Sequence, residues 1–400
     1  MLASAPTFDP LSPGFFADPY PHYARLRDEN PVHRTKFGFL LLTRHRHLVE
    51  AYRHPDLSRD IRGWDRYSMW RRGSTDGPLE RMMDNWLVMV DPPRHTPLRA
   101  IHERVFSAAL AASYEPATDA IVADLLAAGR GRGGLDVVTD FADRIPVYLI
   151  NSLLGIPRDD WEPFVAWSHA IALTTEPFLP RPVLREGIAA RNALADYLGP
   201  LARSRRRVPG PDVISGLATV ESSGVRLTDE ELVDSLIFLY QAGHPTSTQL
   251  IALAVYSLLS APDQLARLRS DPGLLPGAVD ELQRYDGPVQ MNDRVASRDL
   301  TLFGAAVPRG QLVRLCIGAA NRDEERYPAA DRLDVGRVAP DQLGYGHGRH
   351  SCVGDRLGRQ QARAALGALL RAAPGLRFAG VPRFLPSMSN RGLAELPVLF

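Results

Sequence analysis

Residues 344–359 read GYGHGRHSCVGDRLGR. Four glycines, Gly344, Gly346, Gly348 and Gly354, surround one cysteine, Cys352, and two histidines and three arginines share the stretch. Glycine opens backbone conformations closed to other residues, so the chain can pass close to a flat or charged ligand with its amides turned inward. The residues that follow, DRLGRQQARAALGALLRAA (355–373), have the spacing of an amphipathic helix. Cys352 therefore sits at a helix N-terminus, where free N–H groups and the helix dipole favour thiolate, the form that binds metal or attacks carbon.

Three chemistries compete for this loop. A phosphate-binding loop is disfavoured because the glycines do not follow GxGxxG and no GK[ST] follows. A cysteine nucleophile has His350 two residues away as a base, but no separate group to orient it. The third is an axial thiolate on haem iron, which feeds electron density to the metal and favours O–O cleavage.

The rest of the chain bounds the answer. Its 400 residues, 45% hydrophobic, are enough for a large core. A net charge of +1 gives no field for nucleic acid. Two cysteines, Cys316 and Cys352, give neither a disulfide framework nor a CxxC zinc pair. Cys316 lies in an apolar strand, LVRLCIGAA, and reads as a core thiol. The N-terminus lacks a basic region followed by an apolar run, and FGFLLL (37–42) is strand-sized. A cytoplasmic protein with no membrane partner is expected.

Helical patterns dominate, and short strands are expected between residues 294 and 323 and in a final hairpin. The longest pattern starts at Thr228 and Glu231, a capping-box pair, and runs apolar nearly all round to Ser260. In its middle stands AGHPTST (242–248). Gly243 and Pro245 suit a helix interior poorly, and Pro245 takes the amide partner from the Gln241 carbonyl. The spacing predicts a kink there, either from packing alone or as a notch lined by Thr246 and Ser247 facing a ligand.

The opening stretch resembles the haem-binding signature of the cytochrome P-450 family, F-G-x-G-x-H-x-C-x-G, with Tyr345, Gly346, Gly348, His350, Cys352 and Gly354 in the same spacing. ELQR (281–284) resembles the family's ExxR pair, and DPPRHTPLR (91–99) its propionate-binding segment. AGHPTS (242–247) resembles the oxygen-side helix motif A-G-x-[DE]-T-[TS], and ANRD with ADRLDVGR the meander before the cysteine. The matches run from residue 9 to 399.

The resemblance implies one domain over residues 1–400, mainly α with a minor β region, its long central helix crossing a buried haem b. Cys352 would ligate the iron. His95, Arg99, Arg294 and His350 would meet the propionates, and Ala242, Gly243, Tyr345, Gly346 and Gly354 would complete the haem contacts. Glu281 and Arg284 would form a structural triad with Arg332, or with Arg337 as runner-up. Thr246 would be the catalytic hydroxyl that helps deliver protons. The family places an acid just before it; here that position is Pro245, so the ordinary relay lacks its carboxylate. Tyr345 replaces the usual Phe, and Gln342 stands where many relatives have His.

The activity implied is a monooxygenase using O2 and electrons from a separate ferredoxin and ferredoxin reductase, with the protein as a monomer. Arg349, Arg356, Arg359 and Arg363 form the basic rim expected to meet the acidic donor. Substrate contacts map to Trp64, Tyr67 and Trp70, to Phe238 and Thr246, to Val289, Gln290 and Asn292, and to Met388 and Asn390, with a lid at 174–182. Trp86 and Met89 read as packing. This mix suits a bulky aromatic or polycyclic natural product of secondary metabolism. Oxidative coupling or ring formation without oxygen insertion is the alternative that Pro245 raises.

Overall fold

A computed structural model describes residues 7–12, 14–70, 77–175 and 180–400, with Trp70 placed in its backbone only. The expected calls at Trp70's side chain and in the middle of the 174–182 segment lie outside the described residues.

The central helix runs Asp229–Ser260, 32 residues. The capping box forms in full: the Thr228 hydroxyl accepts from the Glu231 amide and the Glu231 carboxylate from the Thr228 amide. Asp229, Glu230 and Glu231 also place three negative charges at the positive end of the dipole. Pro262 follows the end. The helix continues through Pro245, the position where a kink was expected. Helices Arg144–Leu153, Glu162–Leu173, Arg181–Arg207, Leu275–Asp286 and Asp355–Ala372 all pack on it. Their burial of its apolar sides outweighs the ~3 kcal/mol a mid-helix proline costs.

The minor β region is a five-stranded sheet in the order Val32–Arg34, Leu40–Leu42, Leu312–Cys316, Met291–Ala296, Leu57–Ser58. Only the Leu40–Leu42 and Leu312–Cys316 pair is parallel. The strand Leu312–Cys316 is buried at every position, with Arg314 at its centre paired to Asp293, and Cys316 is a core thiol pushed up to about 12 by burial. The expected final hairpin forms between Arg383–Phe384 and Leu393–Glu395. Among the described residues no helix is long and apolar enough to cross a membrane.

Two packing relations position the site. The helices Leu275–Asp286 and Asp355–Ala372 lie against each other and both against the central helix. The Cys352 loop, which leads into Asp355–Ala372, is thereby carried to the central helix's side.

Candidate active site

The loop before the cysteine is tied at each turn. Leu343 donates its amide to Asn321 Oδ1 (2.7 Å) and Gly344 to Gln342 Oε1 (2.6 Å). The Cys352 amide returns to the Tyr345 carbonyl at 2.8 Å. Gly346 and Gly348 take φ of 72° and 71°, so two of the glycines are there because the turn is left-handed. Cys352 is accessible, yet protein surrounds it closely enough that burial pushes its thiol up to about 11. The sequence argument expected the helix start to favour thiolate. The Gly354 amide does lower the pKa, but desolvation is the larger effect, so the sulfur is deprotonated only when a cation takes it.

Around this loop cations outnumber anions. Arg294 is buried, with one hydrogen bond from Nη1 to the Asp293 carbonyl (2.8 Å) and its guanidinium over the Tyr52 ring. Burial and the neighbouring Arg59 depress it to about 10. Among the described residues neither Arg294 nor Arg59 has a carboxylate within ion-pair distance. His95 is buried with Nε2 unpartnered, and burial, His350 and Arg99 pull it down to about 4. Its ring lies 4.3 Å from that of His350. His350 Nε2 stands 3.4 Å from Asp91 Oδ1 but out of hydrogen-bond line. Asp91 and Asp293 are the acids near this group, and Asp293 is already paired with Arg314; burial raises the pKa of Asp91, but His350, Ser58 and the Arg59 amide hold it well below the carboxylate range. Buried cations without counterions are costly, and a ligand bearing carboxylates satisfies them. The residues fit a haem with two propionates. Arg59 and Asp91 belong to this group and were not singled out from sequence; an acid that also tethers the Leu57–Ser58 strand has no local signature. Arg99 differs from expectation: it bonds the Ser351 carbonyl and hydroxyl, so it fixes the cysteine loop directly.

Glu281 and Arg284 are fully buried and paired in a fork, Nε to Oε2 at 2.6 Å and Nη2 to Oε1 at 2.8 Å. Arg284 Nη1 also reaches the carbonyls of Asn321 (2.7 Å) and Ala330 (2.9 Å). The third member is Arg337, whose Nε meets Glu281 Oε1 at 3.2 Å. Arg332 was the first choice and is corrected. It contributes a backbone carbonyl to Arg284 (3.4 Å), because the turn at Arg332 points its side chain elsewhere.

On the central helix, Phe238, Ala242 and Thr246 are half-exposed, as are Leu239, Gln241, Gly243 and Pro245, while Tyr240, His244, Ser247 and Thr248 are buried. Phe238, Ala242 and Thr246 are spaced i, i+4 and so share one stripe of this half-open middle. Gly243 approaches Ile150 of a neighbouring helix instead. The Thr246 hydroxyl donates to the Ala242 carbonyl at 2.7 Å. Ser247 is buried and does not share the stripe. Phe238 stacks obliquely on Trp86, 5.2 Å away, whose ring is buried with its indole N–H unpartnered.

Several expected substrate contacts are placed otherwise. Gln290 is buried, donating to the Gly287 carbonyl (2.8 Å) with its oxygen against Gly318. Asn292 donates to the Tyr52 hydroxyl (2.9 Å), within the stack beneath Arg294. Trp64 and Met388 pack on the aromatic cluster of Phe8, Phe15 and Tyr23. Tyr67 is buried in the short helix Tyr67–Trp70. Val289 and Asn390 pair across an isolated bridge. An alternating polar residue in a strand looks like a contact in sequence, but which face meets the cavity depends on the sheet.

Comparison with known proteins agrees with this geometry. The sequence profile described as Cytochrome P450 matches residues 273–372. The chain is 37% identical to "Cytochrome P450 monooxygenase PikC" of Streptomyces venezuelae, covering 99% of this chain and 95% of that protein. It is 35% identical to "Mycinamicin IV hydroxylase/epoxidase" of Micromonospora griseorubida, covering 94% of each. The crystal structure of CalO2 superposes with a TM-score of 0.91 at 33% identity over 99% of both chains. With the thiol loop, the buried cations and the half-open helix stripe all in one place, the chain belongs to the cytochrome P450 family and is a haem-thiolate monooxygenase of bacterial type.

Proposed function

We propose that this chain, as one domain over residues 1–400, uses O2 and electrons from a separate ferredoxin and ferredoxin reductase to hydroxylate a bulky natural product in secondary metabolism. Haem b bound through Cys352 would supply the O2-activating redox chemistry. The observation that supports this best is the clustering near Cys352 of buried Arg294 and His95 with half-buried Arg59, none of which has an ion-pair partner among the described residues. Arg294, Arg59, His95 and His350 would hold the propionates, and Arg99 would hold the loop that presents the sulfur. Phe238, Ala242 and Thr246 would border the substrate. One relative is named for hydroxylating and epoxidising mycinamicin IV, which supports an elaborate secondary metabolite as substrate.

Arg349 and Arg356 are exposed and suit an acidic electron donor. Arg359 is not part of that rim: Asp280 (2.8 Å) and Asp355 hold it, over the Tyr345 ring. The test is turnover with a ferredoxin system on a panel of polycyclic and macrocyclic compounds, preceded by a screen for the low-to-high-spin shift on binding. Turnover without separate electron carriers, or a spin shift only with fatty acids, overturns the reading.

A second outcome, ring formation or coupling without oxygen insertion, is favoured by one observation. Pro245 carries no acid and the Thr246 proton is committed to Ala242, so the stripe presents little to feed protons. Product analysis under 18O2 separates the two: label in the product supports hydroxylation, its absence supports coupling.

A further inference from the structure

His244 is two residues from Thr246, about 200° round the helix, and so faces away from the half-open stripe. It meets Asp143, at the start of Arg144–Leu153, and His169, on Glu162–Leu173. Asp143 Oδ1 lies 2.9 Å from His244 Nε2 and 2.9 Å from His169 Nε2, with its other oxygen 3.0 Å from His169. These donor atoms all lie within 4.8 Å of one another, the one such group among the described residues. No Arg or Lys among the described residues is within ion-pair distance of Asp143, whose partners are the two imidazoles.

A second observation concerns the back of the ring. His244 Nδ1 lies 2.8 Å from Ser168 Oγ, and Ser168 donates to the Tyr240 carbonyl at 3.3 Å. A hydroxyl has one proton. With that proton on Tyr240, Nδ1–H of His244 donates to Ser168, and Nε2 carries a lone pair aimed at a carboxylate. The 2.9 Å approach of Nε2 to Asp143 then needs a positive charge between the two atoms, either a proton that makes the ring imidazolium or a metal ion.

We propose that Asp143, His169 and His244 form a binding site for a first-row divalent ion of the zinc class, with Ser168 orienting His244 and an open coordination position towards solvent beside His169. Nitrogen and oxygen ligands sit about 2.0–2.2 Å from zinc, which places neighbouring donors roughly 3–3.5 Å apart. The two Asp143–histidine separations need shifts of only tenths of an ångström, and the two histidine nitrogens, within 4.8 Å of each other, close by at most roughly 1–2 Å. His169 is half-exposed, giving the ion a way in, while His244 and Asp143 are largely covered. The ion would brace three helices beside Pro245, where the central helix has lost a backbone hydrogen bond.

The test uses tag-free, haem-loaded protein treated with a chelator and titrated with zinc in competition with a chromophoric chelator. One tightly bound zinc per chain is expected, with binding weakening as pH falls through the histidine range. His169→Gln and Asp143→Asn should each weaken it at least about tenfold, and Ser168→Ala by roughly 10–100-fold, as loss of an orienting partner does. Because His169 is exposed, its variant is expected to fold, and an unchanged Soret band checks this. A zinc-dependent rise in Tm should appear in the unaltered protein and vanish in His169→Gln. No stoichiometric zinc, or binding indifferent to His169→Gln and Asp143→Asn, overturns the site and leaves a hydrogen-bonded His–Asp–His chain.

Discussion

The cysteine loop and the middle of the central helix face opposite ends of the same problem, and they are built differently. The loop is held redundantly: its amides close on Asn321, Gln342 and Tyr345, Arg99 grips Ser351, and the Glu281–Arg284 pair underpins the segment that precedes it. The helix at 241–246 has lost a backbone bond at Pro245, keeps its threonine hydroxyl turned back on itself, and exposes one stripe. On the proposed function, one region would hold a ligand in a single geometry and the other would admit the substrate. Rigidity on one side and local openness on the other are the physical form of that division.

Substitutions can break that contrast, and Cys352→Ser should have the largest effect. The far-red band of the reduced, CO-treated protein should disappear and turnover should fall to background, since no other described residue of the loop offers a thiolate. Next is Glu281→Gln. It leaves Arg284 fully buried without its charge partner, which costs about 3–5 kcal/mol, read as a lower denaturation midpoint with haem loss. A change under 1 kcal/mol would show that the loop is not supported from below.

The central helix should respond through pH and product rather than collapse. Asp234 is buried on it, and burial raises its pKa to about 6. The folded state therefore binds this proton more tightly than the unfolded state, so stability is lost as pH rises from about 4 through 6. Asp234→Asn should remove that loss, by at most about 3 kcal/mol at pH 8, in denaturant titrations at pH 4.5 and 8. Pro245→Ala restores an amide to the Gln241 carbonyl and should raise stability by about 1–3 kcal/mol. If the open stripe matters for chemistry, the same change should alter the product ratio although the protein is more stable; an unaltered ratio would show the break to be packing alone. The smallest effect is expected from Arg332→Ala, within about 0.5 kcal/mol, against a clear loss in Arg337→Ala, because only Arg337 reaches Glu281.

What could be read from the chain was local. Gly346 and Gly348 announce a left-handed turn, Thr228 and Glu231 a capped helix, and Glu281 and Arg284 one helix face, because backbone angles and i, i+3 spacing are properties of neighbours. The choice between Arg332 and Arg337 was not legible, since an irregular segment some fifty residues downstream carries no period. Gln290 and Asn292 looked like ligand contacts because a strand's alternation does not say which side meets the cavity. His244 was visible only as a polar interruption in an apolar helix. Its partners lie about 75 and 100 residues earlier on other helices.

The sequence by itself determined the glycine turn before Cys352, the helix that starts after it and the long buried helix with a proline at its centre, each fixed by short-range sterics and apolar periodicity. Only the tertiary structure decided that the helix continues through Pro245, that Arg59, His95 and Arg294 are brought together with no ion pair among the described residues, and that Asp143, His169 and His244 meet. Those outcomes depend on which surfaces pack, and packing is settled by the whole core at once rather than by any stretch of it.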